Sequence, residues 1–406
     1  MRLRNLALLS LMAAALAGCN ETLESVSTVD LSKVKNKVTE PLSQPMLAKM
    51  RSKSMDQFSP IVLRIFKEEG VLEVWKARTD NRFEKLTEYK ICAWSGRLGP
   101  KVKEGDRQAP EGFYNLTPAH LNPNSKYYLA INTGFPNKYD AANKRYGTNL
   151  MIHGACSSSG CYSMTDEQVL EIYAFARDAF KGGQKTVQLQ AFPFRMTAEN
   201  MARHAHSENI DFWKMLKVGY DNFEVTKRPP DVNVCEKRYV FNQQSNGAFN
   251  PIGACPAMST PPALQAALSA YNRTYDVAYE KAMRKFDGMV WYDPSEAERK
   301  ALVAKQRKGR ELAYAPTGSA LEAGKLMKLS DYQERLKENE ARTAAAAISR
   351  QTAAATAVAA EKLEKTASIP VPKPNPVKPT AEVAAPAEAP TVAATDDAKK
   401  PFWKFW

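Results

Sequence analysis

Between residues 60 and 192 the sequence consists largely of short apolar and β-branched runs separated by turn residues, and this pattern limits the fold more than any other feature. IVLRIF (61–66) and VLEVWKA (71–77) flank the segment KEEG, which predicts a β-hairpin. Further runs have the composition of strands: YKICAW (89–94), GFYNL (112–116), YYLAIN (127–132), NLMIH (149–153) and TVQLQAF (186–192). Many short strands with few helices predict a mainly antiparallel β domain, which we place at residues 58–195.

One helix is predicted inside this domain. Thr165, with Gln168 three residues later, forms a capping-box pattern that marks a helix start. Gly182 and Gly183 mark the end of the helix. The apolar residues between them recur at helical spacing: Val169, Ile172, Tyr173, Ala176 and Phe180. The segment just before Thr165 therefore lies between a predicted strand and the start of a helix.

The first 19 residues have the features of an export signal. A basic start precedes an apolar run over residues 6–17, which is too short for a membrane span. The following Leu-Ala-Gly-Cys resembles the lipobox of bacterial lipoproteins, which implies cleavage before Cys19 and lipidation of its thiol; ordinary cleavage nearby is the alternative. Asn20 lacks the acidic side chain that is linked to retention in the inner membrane, so it favours the outer membrane. We expect a periplasmic protein that is lipid-anchored to the outer membrane, with residues 20–57 as a spacer.

Beyond the β domain the sequence changes character. Residues 196–250 are a mixed extension, with a helix predicted over 197–217 and a strand near 223–227. Residues 251–365 are charged and predicted to be helical. Residues 366–406 form a Pro- and Ala-rich tail that is predicted to be disordered and ends in KKPFWKFW. This aromatic end suits a membrane interface or a partner, and equally an inert tail.

The chain of 406 residues carries a net charge of +13. Such a charge favours an anionic neighbourhood. We expect no nucleic-acid partner, because the chain is predicted to be exported and contains no nucleic-acid-binding motif. Acidic cell-wall polymer or a membrane surface fits the charge, as does a surface that the charges merely keep soluble.

An exported chain works in an oxidising compartment, where cysteines tend to pair. Apart from Cys19 the chain has five cysteines, so at least one stays unpaired or pairs outside the chain. Cys235 and Cys255 flank a polar loop and either bond to each other or remain thiols. Cys92 lies in a predicted strand and is expected to be a small core residue.

The other two cysteines lie in MIHGACSSSGCYSM, residues 151–164. Zinc could be bound by His153, Cys156 and Cys161, but a tetrahedral site needs a fourth ligand, and the histidines of RHAH (203–206) lie on a predicted polar helix. A structural loop is the second interpretation. We expect neither a metal nor an organic cofactor.

The third interpretation makes Cys161 a nucleophile. A thiol at its usual pKa is mostly protonated at pH 7, so it needs a base, and His153 at the end of a strand can take its proton. The nearby helix start would stabilise the thiolate. Gly160 lets the backbone approach a substrate carbonyl, and the N–H groups from Gly160 to Tyr162 could form an oxyanion hole. The pattern favours a Cys161–His153 dyad, with Cys156 as a bystander or a redox partner that masks Cys161.

HGACSSSGCYSM resembles the active-site motif of the YkuD-type L,D-transpeptidases, and the resemblance is closest to the Gram-negative YafK branch of that family. It extends over about residues 60–245, through CAWSGRLGPKVKEGDRQAPEGFYNLTP, NPNSKYYLAINTGFPNKYD, MTDEQVLEIYAFAR and QLQAFPFRMTAENMARH. The resemblance implies a YkuD-like catalytic β domain at 58–195 with one active-site helix. It also implies that residues 196–250 are a family-specific extension.

The family implies a role for each matching position. Cys161 is the nucleophile, and His153 is the general base and then the general acid. The main chain at Gly154 matches the position whose carbonyl orients that imidazole. Gly160 and Cys161 match the oxyanion-hole segment.

Two positions depart from the family pattern. Ser159 stands where many members have His, and Ser163 stands where many have Arg. Ser159 is itself a candidate for substrate contact, but a carboxylate of the substrate must be bound from elsewhere. The candidates lie in the preceding basic loops, with Arg107 as our first choice: Arg97, Lys101, Lys103 and Arg107.

The implied reaction is attack of the Cys161 thiolate on the carbonyl that follows the L-centre of meso-diaminopimelate in a peptidoglycan stem peptide. The resulting thioester passes to an amine in transpeptidation, which crosslinks the wall or attaches a protein. An outer-membrane lipoprotein or barrel protein is a candidate acyl partner. The first alternative is hydrolysis, which the YafK branch uses to release lipoprotein from diaminopimelate. The second alternative is a non-catalytic protein that binds the wall.

Overall fold

The computed structural model of the chain describes residues 30–92, 96–156, 160–295, 298–299, 301 and 324–367. The predicted signal with Cys19, the tail beyond residue 367, and Ser159 lie outside these residues. The chain divides into two compact units, Met1–Lys337 and Glu338–Trp406. The described strands all belong to the first unit, and the second contributes helical residues up to 367.

The described strands and helices are numbered in chain order. The described strands are β1 (Ile61–Phe66), β2 (Val71–Ala77), β3 (Phe83–Lys90), β4 (Gly112–Leu116), β5 (Leu121–Asn122), β6 (Ala130–Asn132), β7 (Met151–His153), β8 (Tyr162–Ser163), β9 (Val187–Phe192), β10 (Val232–Cys235), β11 (Arg238–Phe241), β12 (Gln244–Ser245), β13 (Met258–Ser259), β14 (Met289–Tyr292) and β15 (Lys325–Lys328). The described helices are α1 (Gln44–Ser52), α2 (Lys138–Ala142), α3 (Asp166–Lys181), α4 (Ala198–Arg203), α5 (Ile210–Thr226), α6 (Pro262–Lys285) and α7 (Leu329–Ala367).

Two sheets build the β domain. The main sheet has the order β3–β2–β1–β9–β4, in which β1 is antiparallel to β2 and parallel to β9. Strands β1 and β9 are buried along their whole length, as apolar strands at the centre of a sheet must be. The second sheet has the order β5–β6–β7–β8, in which β7 and β8 are parallel.

Helix α3 joins the two sheets around one core. It contacts β1 in the main sheet and β6 and β7 in the second sheet. The predicted capping box is present: Thr165 Oγ1 accepts from the Gln168 N–H, and the Gln168 side chain accepts from the Thr165 N–H. The Gly182 N–H closes the helix onto the Asp178 carbonyl. The predicted β domain with a long helix after the motif, followed by a largely helical segment, is thus confirmed.

Two strand predictions are wrong in position: of the run 127–132 only Ala130–Asn132 forms a strand, β6, and the run 89–94 does not coincide with β3. The hairpin of β1 and β2 and the strands β4 and β9 lie where the sequence predicts them. The run 89–94 was predicted as a strand, whereas β3 spans Phe83–Lys90 and the chain bends at Cys92. This strand lies at the edge of the main sheet, where charged side chains face solvent, so FEKLTEYK lacks the apolar run of a central strand.

Part of the predicted spacer packs onto the domain. Leu42, Met46 and Met50 belong to the hydrophobic core, and Met46 is fully buried. Met46 and Met50 are four residues apart on α1, so one face of this short helix is apolar. Ser43 caps α1 by accepting a hydrogen bond from the Met46 N–H. The sequence does not predict this contact, because a single helical turn of apolar residues is too short a pattern to recognise.

The region after the β domain differs from its prediction in three places. The helix predicted over 197–217 is two helices, α4 and α5. Residues 223–226 were predicted as strand but complete α5, whose buried Trp213, Tyr220 and Phe223 recur at helical spacing. An antiparallel hairpin of β14 and β15 interrupts the predicted helical region. None of the described helices combines the length and apolar character that a membrane crossing needs.

Glu171 is a buried acid on α3. Tyr89 donates a hydrogen bond of 2.6 Å to Glu171 Oε2, and Glu171 Oε1 has no hydrogen-bond partner within the described part of the chain. Burial raises the pKa of Glu171 from 4.5 to about 7, against smaller lowering effects of Tyr89 and Lys49. The native state therefore binds more protons than the unfolded state between about pH 4.5 and pH 7, so stability falls as the pH rises through that window.

We expect Glu171→Gln to raise the free energy of unfolding by about 1–3 kcal/mol at pH 8, because the neutral amide still accepts from Tyr89. At pH 5 the gain should shrink to less than about 1 kcal/mol, since native Glu171 is then already protonated. Urea unfolding of the full chain at the two pH values measures both quantities. Glu167→Gln, on the same helix but partly exposed, is the matched control. An equal effect of Glu171→Gln at both pH values would contradict this account.

Candidate active site

The parallel pair β7–β8 forms the frame of the candidate site. Ile152 is paired with Tyr162 and His153 with Ser163. Because side chains alternate along a strand, His153 and Ser163 lie on one face, and the residue two before Ser163 lies on that face as well. This residue is Cys161, which precedes β8 directly. The pairing thus brings Cys161 and His153 to the same face of neighbouring strands, on a diagonal.

The imidazole of His153 is held in one orientation. Its Nδ1 lies 2.6 Å from the Gly154 carbonyl oxygen, so Nδ1 carries the proton and Nε2 is the ring nitrogen that can accept one. Tyr127 stacks on the ring, with centroids 4.6 Å apart. Burial lowers the pKa of His153, while the hydrogen bond to Gly154 opposes this in part. His153 is therefore a neutral base at pH 7.

The Cys161 thiol is half-buried between main-chain groups of the segment before β7. The Met151 N–H donates to Sγ at 3.4 Å, and the thiol donates to the Asn149 carbonyl at 3.4 Å. Burial raises the pKa of Cys161, while the Met151 N–H and the charge of Lys101 act in the opposite direction. The resting thiol is accordingly protonated at pH 7.

This electrostatic arrangement differs from the sequence-based expectation. The sequence predicted a thiolate stabilised by the start of α3, but β8 lies between Cys161 and that helix. The main-chain N–H that donates a hydrogen bond to Cys161 Sγ belongs to Met151 in β7, and not to the start of α3. A neutral thiol beside a neutral imidazole follows from the burial of both groups.

Two glycines next to the dyad allow close backbone packing. Gly160 has φ +111°, a conformation that L side chains rarely adopt. At Gly154 a Cβ atom would lie 2.2 Å from Asp166 Oδ1 and 2.9 Å from the Tyr127 carbonyl oxygen. Tyr162 is buried, and its hydroxyl donates to the Pro110 carbonyl at 2.5 Å. The oxyanion-hole role of Gly160 and Tyr162 stays a prediction.

The loop between the dyad residues is tied by a disulfide that the sequence did not predict. Cys92 bonds to Cys156, and Cys235 bonds to Cys255. Cys92 is thus not the unpaired core residue that its sequence context predicted. Since Cys156 is bonded to Cys92, it neither masks Cys161 nor offers a thiolate to a metal. The Cys235–Cys255 pairing, which the sequence left open, is formed.

Further bonds fix the path of this loop. The Ala155 N–H donates to Asp166 Oδ1 at 2.8 Å, and the Cys156 N–H donates to the Met164 carbonyl at 3.2 Å. Both Ala155 and Cys156 have positive φ. The main chain that carries Gly154, and so orients His153, is therefore anchored to the first residue of α3.

The basic candidates have different surroundings. Arg97 forms an ion pair with Asp293, with 3.3 Å between Nε and Oδ2. Lys101 is buried and paired with Asp106 at 2.6 Å. Lys103 and Arg107 are exposed. Arg107 is the candidate whose main chain lies beside Gly160, where its carbonyl carbon is 3.8 Å from a Cβ built on that glycine.

The histidines of RHAH do not approach the motif as metal ligands. His204 is buried, donates from Nε2 to Glu68 Oε2 at 2.7 Å, and stacks on Phe194. Within the described residues no group of three His, Cys, Asp or Glu side chains could hold a metal ion. Sequence reasoning missed Tyr127, because no spacing rule links it to His153 across the sheet.

The comparisons with known proteins identify the family of the chain. Residues 66–189 match the YkuD family model, described as the L,D-transpeptidase catalytic domain. YafK of Escherichia coli K12, named as a candidate L,D-transpeptidase, is 49% identical over 185 residues, which cover 46% of this chain and 75% of that protein. The same protein of E. coli O157:H7 matches equally. The candidate site thus lies within a YkuD-type domain. The chain belongs to the YkuD family of L,D-transpeptidases, in its YafK-like branch.

Two solved structures are more distant. The helical cell shape determining protein Pgp2 from Campylobacter jejuni is 19% identical, with a TM-score of 0.27, over 45% of this chain and 66% of that chain. Bdellovibrio bacteriovorus Bd1075 is 16% identical, with a TM-score of 0.25, over 58% of this chain and 75% of that chain. TM-scores this low establish no common fold.

The departure at Ser163 has a structural counterpart. Ser163 is fully buried opposite His153, and its Oγ lies 3.4 Å from Nε2. Ser163 thus places a buried hydroxyl beside the ring nitrogen of His153 that can accept a proton.

The alkylation of Cys161 by iodoacetamide should reach half its maximal rate at a higher pH than that of glutathione, because burial raises the pKa of the Cys161 thiol. Intact-mass measurements across a pH series give the rate. Lys101→Met should move the midpoint further up, since it removes a positive charge that favours the thiolate. Cys161→Ala must stay unlabelled. A midpoint below that of glutathione would mean a preformed thiolate.

Proposed function

We propose that the protein is a peptidoglycan L,D-transpeptidase with Cys161 as its nucleophile and His153 as its base. The observation that carries the proposal is the hydrogen bond of His153 Nδ1 to the Gly154 carbonyl, which leaves Nε2 able to accept a proton on the face of β7–β8 that Cys161 shares. The match of residues 66–189 to the L,D-transpeptidase catalytic domain supports the same reaction class.

The first half-reaction forms a thioester. The Cys161 proton moves to His153 Nε2 as Sγ attacks the carbonyl carbon that follows the L-centre of meso-diaminopimelate. The negative charge on the carbonyl oxygen is stabilised by main-chain N–H groups around Gly160. The imidazolium then gives its proton to the leaving amine of the D-amino acid, and the C–N bond breaks.

The second half-reaction transfers the acyl group. An amine of another stem peptide or of a protein attacks the thioester, and neutral His153 takes a proton from it. His153 then returns that proton to Cys161 Sγ as the C–S bond breaks, so Cys161 leaves as a thiol. The carbonyl of Gly154 stabilises the imidazolium in both halves, because it accepts from Nδ1–H throughout. Water in place of the amine would give hydrolysis with the same groups.

A substrate carboxylate needs a cation near the oxyanion position. Arg107 fits this role, because it is exposed on a loop whose main chain borders Gly160. Arg97 fits less well, since Asp293 already binds its guanidinium. Carboxylate binding by Arg107 would replace the Arg that many family members carry at the position of Ser163.

The full chain, incubated with purified sacculi, should form new crosslinks between diaminopimelate residues of two stems, seen by mass analysis of muropeptides. Cys161→Ala should abolish them, and His153→Ala should lower the rate by roughly 10²–10⁴-fold. The double variant Cys92→Ala/Cys156→Ala should keep Cys161 chemistry, but lose about 2–4 kcal/mol of stability, since its disulfide closes a long loop. Released tripeptide or freed lipoprotein without crosslinks would mean a hydrolase. Unchanged sacculi that still bind the protein would mean a non-catalytic wall binder.

We also propose that Cys19 carries the lipid that anchors the protein to the outer membrane. Radiolabelled palmitate should label the wild-type chain in cells, whereas Cys19→Ala should stay unlabelled and fractionate with the periplasm. Equal labelling of both chains would contradict the anchor.

A further inference from the structure

Residues 96–111, which we term the front loop, form one wall of the candidate site. A Cβ atom built on Gly160 would lie 3.6 Å from the Gln108 carbonyl oxygen and 3.8 Å from the carbonyl carbon of Arg107. Tyr162 donates its hydroxyl hydrogen bond to Pro110 of the same loop. The position of this loop therefore decides how the main chain at Gly160 is placed.

The inner side of the front loop is fastened by a buried lysine. Lys67 Nζ donates to the carbonyls of Arg97 (2.9 Å), Gly99 (3.1 Å) and Ala109 (3.1 Å) and to Glu111 Oε1 (2.9 Å). Lys67 and Glu111 are both buried. One ammonium group thus ties the two ends of the loop to the end of β1.

The outer side is fastened by a segment that follows β14, beyond the family-matched residues 66–189. Arg299 Nη1 donates to the Gly96 carbonyl at 2.5 Å. Asp293 Oδ2 accepts from the Leu98 N–H at 3.3 Å, and the Arg97 guanidinium donates to the Asp293 carbonyl at 3.0 Å. Arg299 also pairs with Asp293, so the two residues act as one unit, which we term the outer latch.

The contact continues from the outer latch to the site. The Arg97 N–H donates to Gln108 Oε1 at 2.5 Å. A Cβ on Gly96 would lie 2.9 Å from the Arg107 carbonyl oxygen, so the first and last parts of the front loop are in close contact there. A displacement of Gly96 must therefore displace Gln108, which borders Gly160.

We propose that Asp293 and Arg299 are positioning residues for the reaction of Cys161, because they hold the front loop against Gly160. Both residues lie outside the family-matched domain. The turnover measurement that tests their role rests on the proposed function. Of the two residues, Arg299 contributes most to holding the loop, because its buried guanidinium bonds both the loop and Asp293.

The β14–β15 hairpin has other attachments, so the outer latch can be tested separately from the hairpin. Trp291 lies on His204 with ring centroids 4.7 Å apart. Glu298 accepts from Tyr292 at 2.6 Å and from Arg335 at 2.7 Å. None of these described contacts involves the front loop. Arg335→Ala is therefore a matched control that removes an ion pair from the same module.

The test uses the full chain with sacculi as substrate. Arg299→Ala should lower kcat by roughly 10–100-fold with little change in KM, since small displacements of a site cost rates of this order. Arg299→Lys should restore part of the rate, because one ammonium can bond either Gly96 or Asp293. Arg335→Ala should keep kcat within about twofold. Melting temperatures are measured alongside, and Asp293→Asn replaces Arg299→Ala if the latter does not fold.

A second readout does not depend on the proposed function. The front loop also carries Lys101, whose charge lowers the pKa of Cys161. Release of the loop should shift the alkylation midpoint of Cys161 in Arg299→Ala and Asp293→Asn, because it would change both the burial of the thiol and its distance from Lys101, and leave the midpoint unchanged in Arg335→Ala. If sacculi are not processed at all, the proposed function fails while this measurement still decides the outer latch. The proposal is overturned if folded latch variants keep the wild-type midpoint and kcat, or if Arg335→Ala shows the same losses.

Discussion

The candidate site depends on the parallel pairing of two very short strands, β7 and β8. Parallel strands usually need a connection of about a dozen residues or more, but residues 154–161 join these two directly. This short return has positive φ at Ala155, Cys156 and Gly160, and it is held by the hydrogen bond of the Ala155 N–H to Asp166 and by the disulfide to Cys92. The register of β7 and β8 sets His153 and Cys161 on one face.

Burial governs the electrostatics of that face. It lowers the pKa of His153 and raises the pKa of Cys161, so both groups are neutral before substrate arrives. In the proposed reaction, proton transfer would accompany attack, and the hydrogen bond from Nδ1 to the Gly154 carbonyl would stabilise the imidazolium that forms. A buried hydroxyl at Ser163 also faces Nε2.

Segments outside the family domain reach the walls of the site from both sides. Before it, Lys37 donates to the Tyr128 carbonyl at 2.5 Å, next to the tyrosine that stacks on His153. Arg177 on α3 bonds the carbonyls of Val38 and Glu40. After the domain, the outer latch bonds the front loop. The domain that family resemblance delimits is therefore smaller than the structure that shapes its site.

The sequence by itself determined what depends on near neighbours along the chain. The hairpin of β1 and β2 and the capped helix α3 follow from patterns within a few residues. The assignment of Cys161 as the nucleophile rests on the family motif and stays a prediction. Only the tertiary structure decided the β7–β8 register, the tautomer of His153 and the Cys92–Cys156 bond across 64 residues. These depend on which distant segments pack together, and a local pattern carries no information on that choice. The edge strand β3 and the hairpin of β14 and β15 were misjudged for the same reason.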